Sequence, residues 1–91
     1  MKAFEIIKIG TKILKAKKIP SSILDSELLL SKTLNKTREE ILTNLDQKIE
    51  KKNILVFKKY LQRRSKNEPI AYIFQEKEFW SNKFYVNKNT L

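Results

Sequence analysis

The sequence predicts a mainly α-helical fold, a small bundle of four to five helices followed by a C-terminal β-hairpin. Apolar residues recur at helical spacing through most of residues 1–74, whereas residues 75–91 are rich in aromatic side chains around a Ser-Asn turn sequence. The chain has 91 residues, 41% of them hydrophobic, which is enough for one core. We therefore expect a helical domain over 1–74 and a hairpin linker over 75–91.

The first predicted helix has one apolar face, formed by Ala3, Ile6, Ile7, Gly10, Ile13 and Leu14. It is expected to end near Lys18, because Pro20 disfavours helical geometry at the residue before it. Gly10 is the only glycine of the chain and lies in the middle of this face. Its position predicts the close approach of a second helix rather than a ligand site.

The second predicted helix has the broadest apolar surface and is expected to be the most buried. Its apolar residues are Ile23, Leu24, Leu28, Leu29, Leu30 and Leu34. Ser22 is the expected N-cap, with Asp25 three residues later as a variant of the capping box. Asn35 readily adopts the left-handed conformation and is the expected end of this helix.

Two further helices are predicted before Pro69. Thr37 and Glu40 have the spacing of a capping box, which begins a short third helix. Asp46 is the expected N-cap of a long fourth helix that ends near residue 66, and Asn67 is expected to close it. The side chains predicted to face the core are Leu28, Leu30, Ile41, Val56 and Tyr60.

The segment after Pro69 changes in character. Residues 70–74 fit either a short helical turn or a buried strand, because periodicity cannot separate the two over so few residues. Residues 76–80 and 83–86 flank a tight Ser-Asn turn and predict the hairpin. An isolated hairpin is only marginally stable in water, so it should pack on the helices or on another domain.

Composition excludes several kinds of functional site. The chain has no cysteine and no histidine, so disulfides, thiolate metal sites and the commonest general base are absent. A single glycine excludes a glycine-rich phosphate loop. We therefore expect no catalytic, cofactor-binding or metal-binding residue in this chain. No apolar run is long enough for a membrane span and no signal peptide is recognisable, which predicts a cytoplasmic protein.

A net charge of +10 predicts an acidic partner, although a lysine-rich composition alone also explains it. Lys52, Lys59, Arg63 and Lys66 are spaced to lie on one face of the fourth helix. This face is either solvated or a contact surface for acidic side chains or phosphates. Phe79 and Trp80 are the second candidate, because a hairpin cannot bury all its aromatic side chains against one core.

Residues 67–73 read Asn-Glu-Pro-Ile-Ala-Tyr-Ile and are followed by Glu-Phe-Trp at 78–80 and Phe-Tyr-Val at 84–86. In this block the chain resembles the N-terminal domain of the HemK/PrmC family, the peptide chain release factor glutamine methyltransferases. The resemblance covers the whole chain. Earlier residues that fit the same domain are Arg63, Arg64 and the pattern Asp25, Glu27, Leu29 and Leu30.

The resemblance implies a helical N-terminal domain, a hairpin linker and a Rossmann-like catalytic domain that binds S-adenosylmethionine. The catalytic Asn-Pro-Pro-Tyr motif of the family does not occur in this sequence. The chain is therefore expected to be an inactive N-terminal part of a longer enzyme, whose catalytic domain would continue after Leu91. By resemblance, the domain helps to dock class-1 peptide chain release factors, and the enzyme methylates the glutamine side-chain amide of their Gly-Gly-Gln motif.

The sequence departs from the family at two positions, Asn67 and Gln75, where glycine is usual. Asn67 retains access to the left-handed conformation, whereas Gln75 is expected to alter the turn before the hairpin. An alternative function is a stand-alone RNA- or ribosome-binding module, which rests on the positive charge alone. Nucleic acid is less favoured as a partner, because the aromatic residues cluster at the C-terminal end instead of alternating with the basic ones.

Overall fold

The computed structural model describes residues 1–75, and these residues form five α-helices. The helices are α1 (Ala3–Ala16), α2 (Ser22–Leu34), α3 (Arg38–Leu42), α4 (Lys51–Ser65) and α5 (Ile70–Gln75). The main pair is α1 and α2; α4 packs against both, α3 packs against α2, and α5 packs against α4. Within the described part, no helix is long and apolar enough to cross a membrane. The mainly helical fold is confirmed, while the predicted hairpin, with Phe79 and Trp80, lies outside the described residues.

The core contains buried hydrophobic side chains from all five helices and from the segments between them. Its residues are Ala3, Ile6, Ile7, Leu14, Ile19, Leu29, Leu30, Ile41, Ile49, Phe57, Tyr60, Leu61 and Ile73. Three of the predicted core residues are confirmed, namely Leu30, Ile41 and Tyr60. Val56 is half-buried and packs against the core. The prediction for Leu28 is wrong, because it is only half-buried and Leu29 is the residue that enters the core.

The orientation of α2 differs from that predicted by its apolar residues. Ile23 and Leu24 are 61% and 43% exposed, whereas Asp25, Ser26 and Glu27 are buried. Buried polar side chains are stable only when they are hydrogen-bonded, and each of these three has a partner on another helix. The orientation of α2 about its axis is therefore determined by the hydrogen bonds of these polar residues as well as by the burial of its leucines.

Gly10 marks a close approach between α1 and α2, as predicted. The Ser26 hydroxyl donates a hydrogen bond of 2.8 Å to the Ile7 carbonyl of α1. A Cβ atom placed on Gly10 would lie 2.4 Å from Ser26 Oγ and 2.9 Å from Phe57 Cζ. Since neither distance is tolerable, only glycine allows α1 to pack here without displacing its neighbours.

Three helices end at a residue with a positive φ angle: Lys18 at 62°, Asn35 at 57° and Asn67 at 70°. In each case the following N–H donates to a carbonyl five residues earlier, which satisfies the end of the helix. The predictions for Asn35 and Asn67 are confirmed. Lys18 was not predicted as such a residue, and α1 ends at Ala16 because this turn brings Ile19 into the core.

Helix starts were predicted with mixed success. The capping box of α3 is confirmed: the Glu40 N–H donates to Thr37 Oγ1 over 3.1 Å, and the Thr37 N–H donates to Glu40 Oε1 over 2.8 Å. The N-cap of α2 is Ser21 instead of Ser22, which is buried in the first turn. The ambiguous segment 70–74 is helical and belongs to α5.

The predicted start of α4 at Asp46 is wrong. Residues 45–49 instead pair with the N-terminal residues, and the N–H groups of Ala3 and Ile49 donate across this pairing over 2.9 and 2.8 Å. Backbone groups held in this pairing cannot also begin a helix. Consequently α4 starts later, at Lys51.

Candidate partner-binding surfaces

The first candidate surface is the predicted basic face of α4, formed by Lys52, Lys59, Arg63 and Lys66. Lys52, in the first turn, and Lys59, in the middle of the helix, are exposed. Arg63 is half-buried in the last turn, and Lys66 follows the helix as its exposed C-cap. Lys52 forms a loose 3.6 Å ion pair with Glu50, in which both side chains are more than two-thirds exposed. Such a pair contributes little to stability and leaves the positive charge accessible.

Arg63, the arginine of this face, is held within the domain. Its Nε donates a 2.9 Å hydrogen bond to Glu68 Oε1, and a second guanidinium nitrogen pairs with Oε2 of the same carboxylate. The hydrogen bond from Arg63 lowers the pKa of the Glu68 carboxyl below its ordinary value, against a smaller opposing effect of desolvation. Arg63 therefore stabilises the turn between α4 and α5, while Lys52, Lys59 and Lys66 are the exposed residues of the face.

Arg64 is also structural. Its Nε donates a 2.8 Å hydrogen bond to Asp25 Oδ2, where the side chains are 17% and 6% exposed. Ser21 Oγ donates to the same oxygen over 2.9 Å, and Arg64 Nη1 donates to the Glu68 carbonyl over 3.2 Å. In the structure these contacts tie the end of α4 to the start of α2 and to the turn before α5.

A second basic surface lies on α1 and was not singled out from the sequence. Lys8, Lys12 and Lys15 are spaced i, i+4 and i+7 on this helix, and Lys17 and Lys18 follow it. All five are exposed, and within residues 1–75 none is in an ion pair. The lysine spacing itself was the available signal. These residues form the α1 lysine stripe.

An apolar groove runs between α1 and α4 and encloses about 320 Å³. Its floor contains the buried side chains Ile6, Phe57 and Leu61, while Ile9 and Ile13 are 41% and 40% exposed. The sequence placed Ile13 on the apolar face of α1, and the structure shows that this edge of the face stays partly in solvent. The groove is lined by Met1, Ile6, Ile9, Ile13, Ile54, Phe57, Lys58, Leu61, Gln62 and Ser65.

Aromatic side chains are also exposed at α5. Tyr72 is 61% exposed and Phe74 is 37% exposed. Lys32 of α2 lies over the rings of Phe74 and Tyr60, at 5.6 and 5.2 Å from their centroids, and its Nζ donates to the Phe74 carbonyl over 3.2 Å. These contacts fix α5 against α2, and the ring of Tyr72 on α5 faces solvent.

The buried acidic side chains of the described residues are held in ion pairs. Across residues 1–75, no three His, Cys, Asp or Glu side chains come together in a way that could hold a metal ion. The buried carboxylates Asp25 and Glu27 are each paired with an arginine that joins two helices. Such pairs are structural, because leaving a buried carboxylate without its arginine would be strongly destabilising.

Comparison with known proteins decides the family. The family description "PrmC N-terminal domain" matches residues 5–74 of this chain. The chain belongs to the PrmC N-terminal domain family. No solved structure gives a significant match to it.

This PrmC N-terminal domain is similar to parts of longer proteins. It is 48% identical over 73 residues to a bifunctional methyltransferase of Rickettsia felis, covering 80% of this chain and 14% of that protein. It is 36% identical over 86 residues to a release factor glutamine methyltransferase of Leptospira interrogans, covering 94% and 30%. The corresponding enzyme of Buchnera aphidicola is 46% identical over 79 residues, covering 86% and 28%. The chain thus spans less than a third of the length of these relatives.

Proposed function

We propose that this domain docks class-1 peptide chain release factors for a methyltransferase that modifies the glutamine side-chain amide of their Gly-Gly-Gln motif. The methyl donor is S-adenosylmethionine, bound by a separate catalytic domain, and the 91-residue chain is inactive alone. The observation that carries this proposal is the similarity to release factor glutamine methyltransferases over as much as 94% of the chain. The protein partners are the release factor and the catalytic domain itself, in the cytoplasm.

The basic face of α4 is the proposed docking surface for the release factor. Its lysines are exposed on a helix whose core side is fixed by buried aromatic and aliphatic residues, Phe57, Tyr60 and Leu61. A rigid helix can therefore present these charges to an acidic surface without rearranging the domain. Exposed charges of this kind accelerate the encounter more than they tighten the final complex. Phe79 and Trp80 remain proposed contacts on the basis of the sequence alone.

The test reverses three exposed charges in the longer enzyme that carries this domain. We choose Lys52→Glu, Lys59→Glu and Lys66→Glu, and leave Arg63 intact because its reversal would place two carboxylates side by side at Glu68. The matched control reverses Lys8 and Lys15 on α1 and Lys17 directly after it, which changes the net charge equally on another surface. Steady-state methylation of a release factor is measured for both variants at low and high salt, with circular dichroism as the folding control.

We expect kcat/KM for the release factor to fall by about tenfold at low salt in the α4 variant, because charge steering changes association rates by at least this factor. The difference should shrink as salt rises, since screening acts over about 10 Å at 0.1 M ionic strength. Affinity for S-adenosylmethionine should not change. Equal activity of the folded α4 variant and the parent, or equal losses in both variants, would contradict docking through this face.

The alternative of a stand-alone RNA-binding module has less support from the described residues. Binding of single-stranded nucleic acid combines basic side chains with exposed aromatic rings. The two aromatic residues of α4, Phe57 and Tyr60, are buried, so its basic face presents no ring for stacking. Saturable RNA binding by the isolated chain near physiological salt, lost in the α4 variant, would favour this alternative.

A further inference from the structure

The groove between α1 and α4 exposes hydrophobic surface that the domain leaves uncovered within its described residues. Ile9 and Ile13 of α1 retain about two-fifths of their surface in solvent, beside a floor of almost fully buried side chains. Single exposed hydrophobic residues are ordinary, but a concave row of them between two helices is a typical binding feature.

The shape of the groove selects a helix as its occupant. On α4 it extends from Ile54 to Ser65, about 16 Å at 1.5 Å per residue, which matches three turns of a helix. Both walls are helices, whose backbone groups are already bonded within α1 and α4. An extended peptide would find no backbone partners there, whereas a helix brings its own hydrogen bonds and can insert a row of apolar side chains.

The charge around the groove selects an acidic occupant. Lys58 lines the groove, and at neighbouring exposed positions of the two helices Lys12 and Lys51 outnumber the single acidic residue of α1, Glu5. The lining contains no acidic residue. A helix that places carboxylates on both sides of its apolar row would meet these lysines.

Two other occupants fit the charge less well. A second copy of the chain would bring its own lysines against the same lysines, and each copy carries a net charge of +10. Residues 76–91 of the chain contain three lysines and only two glutamates, so this segment is not an acidic ligand. The charge therefore favours a different protein.

We propose that the groove between α1 and α4 binds an acidic amphipathic helix of a partner protein. Its apolar residues lie between Ile9, Ile13 and Phe57, and its carboxylates lie beside Lys12 and Lys58. This surface is distinct from the basic face of α4, and the proposal does not depend on methyl transfer.

The test uses two fluorescein-labelled helical peptides of about 18 residues, long enough to form a helix on binding. Both carry leucines at i, i+3, i+4 and i+7; one has glutamate and the other lysine at the remaining charged positions. Fluorescence anisotropy is measured with the complete 91-residue chain. We expect saturable binding of the glutamate peptide and binding about tenfold weaker or more for the lysine peptide, because like charges then meet at the rim.

Variants locate the binding site. Ile9→Ser with Ile13→Ser should weaken binding of the glutamate peptide by about tenfold, since apolar anchors dominate such interfaces. The matched control is Ile23→Ser on α2, which is 61% exposed and lies outside the groove, and it should have no effect. Lys58→Glu keeps the groove itself and should weaken the glutamate peptide while strengthening the lysine peptide.

Three results would overturn the proposal. The peptides could bind equally, the control could weaken binding as much as the groove variant, or the glutamate peptide could fail to bind at all. Sedimentation of the unlabelled chain checks the remaining occupant: a dimer that Lys58→Glu or the isoleucine variant disperses would assign the groove to a second copy. Failure here would leave the proposed docking on the basic face of α4 unaffected, because that test measures methylation by variants outside the groove.

Discussion

Helix α1 packs against two neighbours in contrasting ways. Against α2 the contact is closed: Gly10 admits the Ser26 side chain, whose hydroxyl donates to the Ile7 carbonyl over 2.8 Å. Against α4 the contact buries Ile6 but leaves a groove beside it, where Ile13 remains 40% exposed. The distance between packed helices depends on the side chains at the contact, and small residues such as glycine allow a closer approach than large ones. The closed contact therefore serves stability, and the open one provides a surface for recognition.

The largest expected effect belongs to the closed core. Leu29 is fully buried, and Leu29→Ala should reduce the free energy of unfolding by about 2–5 kcal/mol, the usual cost of a buried leucine truncation. The exposed Ile23 on the same helix is the control, and Ile23→Ala should change stability by less than about 0.5 kcal/mol. Chemical denaturation measures both. A similar denaturation midpoint for the two variants would contradict the burial of Leu29 and the exposure of Ile23 on α2.

Gly10→Ala should destabilise the fold, although by less than Leu29→Ala. This is opposite to the usual effect of replacing glycine by alanine within a helix. Alanine normally favours a helix over glycine by about 1 kcal/mol. Here the added Cβ meets Ser26 Oγ at 2.4 Å and Phe57 at 2.9 Å, so a net loss of about 1–3 kcal/mol is expected from overpacking. Ser26→Ala in the same chain should recover part of the loss. Stabilisation by Gly10→Ala alone would mean that the α1–α2 contact is looser than described.

Ile13→Ala tests the open contact and should cost less than either core change. Because 40% of this side chain is already in solvent, we expect a loss below about 1.5 kcal/mol, less than full burial of an isoleucine provides. Thermal unfolding compared with Leu29→Ala gives the measurement. A loss as large as that of Leu29→Ala would show that Ile13 is covered, and the groove would no longer be a free surface.

The smallest effect concerns the turn between α4 and α5 and depends on pH. The hydrogen bond from Arg63 lowers the pKa of Glu68 below 4.5, so its ionised form stabilises the folded state. This contribution is complete above the unfolded pKa and is lost as pH falls from about 4.5 through the lowered value. Glu68→Gln should thus be less stable than the parent at pH 7 and should approach it in acid. A difference that is constant between pH 7 and pH 3 would exclude this role of the ion pair.

Local signals in the sequence predicted the helix boundaries best. The Thr37–Glu40 capping box and the left-handed residues Asn35 and Asn67 were correct, because each depends on backbone groups only a few residues away. The start of α4 was wrong, since residues 45–49 pair with the N-terminus and no local pattern encodes that contact. Tertiary pairing can override the preference of a single N-cap residue.

The surfaces were harder to predict than the helices. The spacing of Lys52, Lys59 and Arg63 predicted one face of α4, but the sequence could not show that Arg63 is held by Glu68. Similarly, the apolar pattern of α1 did not separate Leu14, which is buried, from Ile13, which is not. An amphipathic pattern shows which side of a helix is apolar. How much of that side is buried depends on how closely the neighbouring helices pack against it.

The most direct test of the proposed docking follows the isotopically labelled 91-residue chain by nuclear magnetic resonance while an unlabelled class-1 release factor is added. We expect the largest changes in chemical shift at Lys52, Lys59 and Lys66, and these changes should diminish as salt is raised. The matched control is the outer side of α2 around Ile23 and Leu24, which should not change. An absence of changes at high release factor concentration, or changes confined to α2, would contradict docking through the basic face of α4.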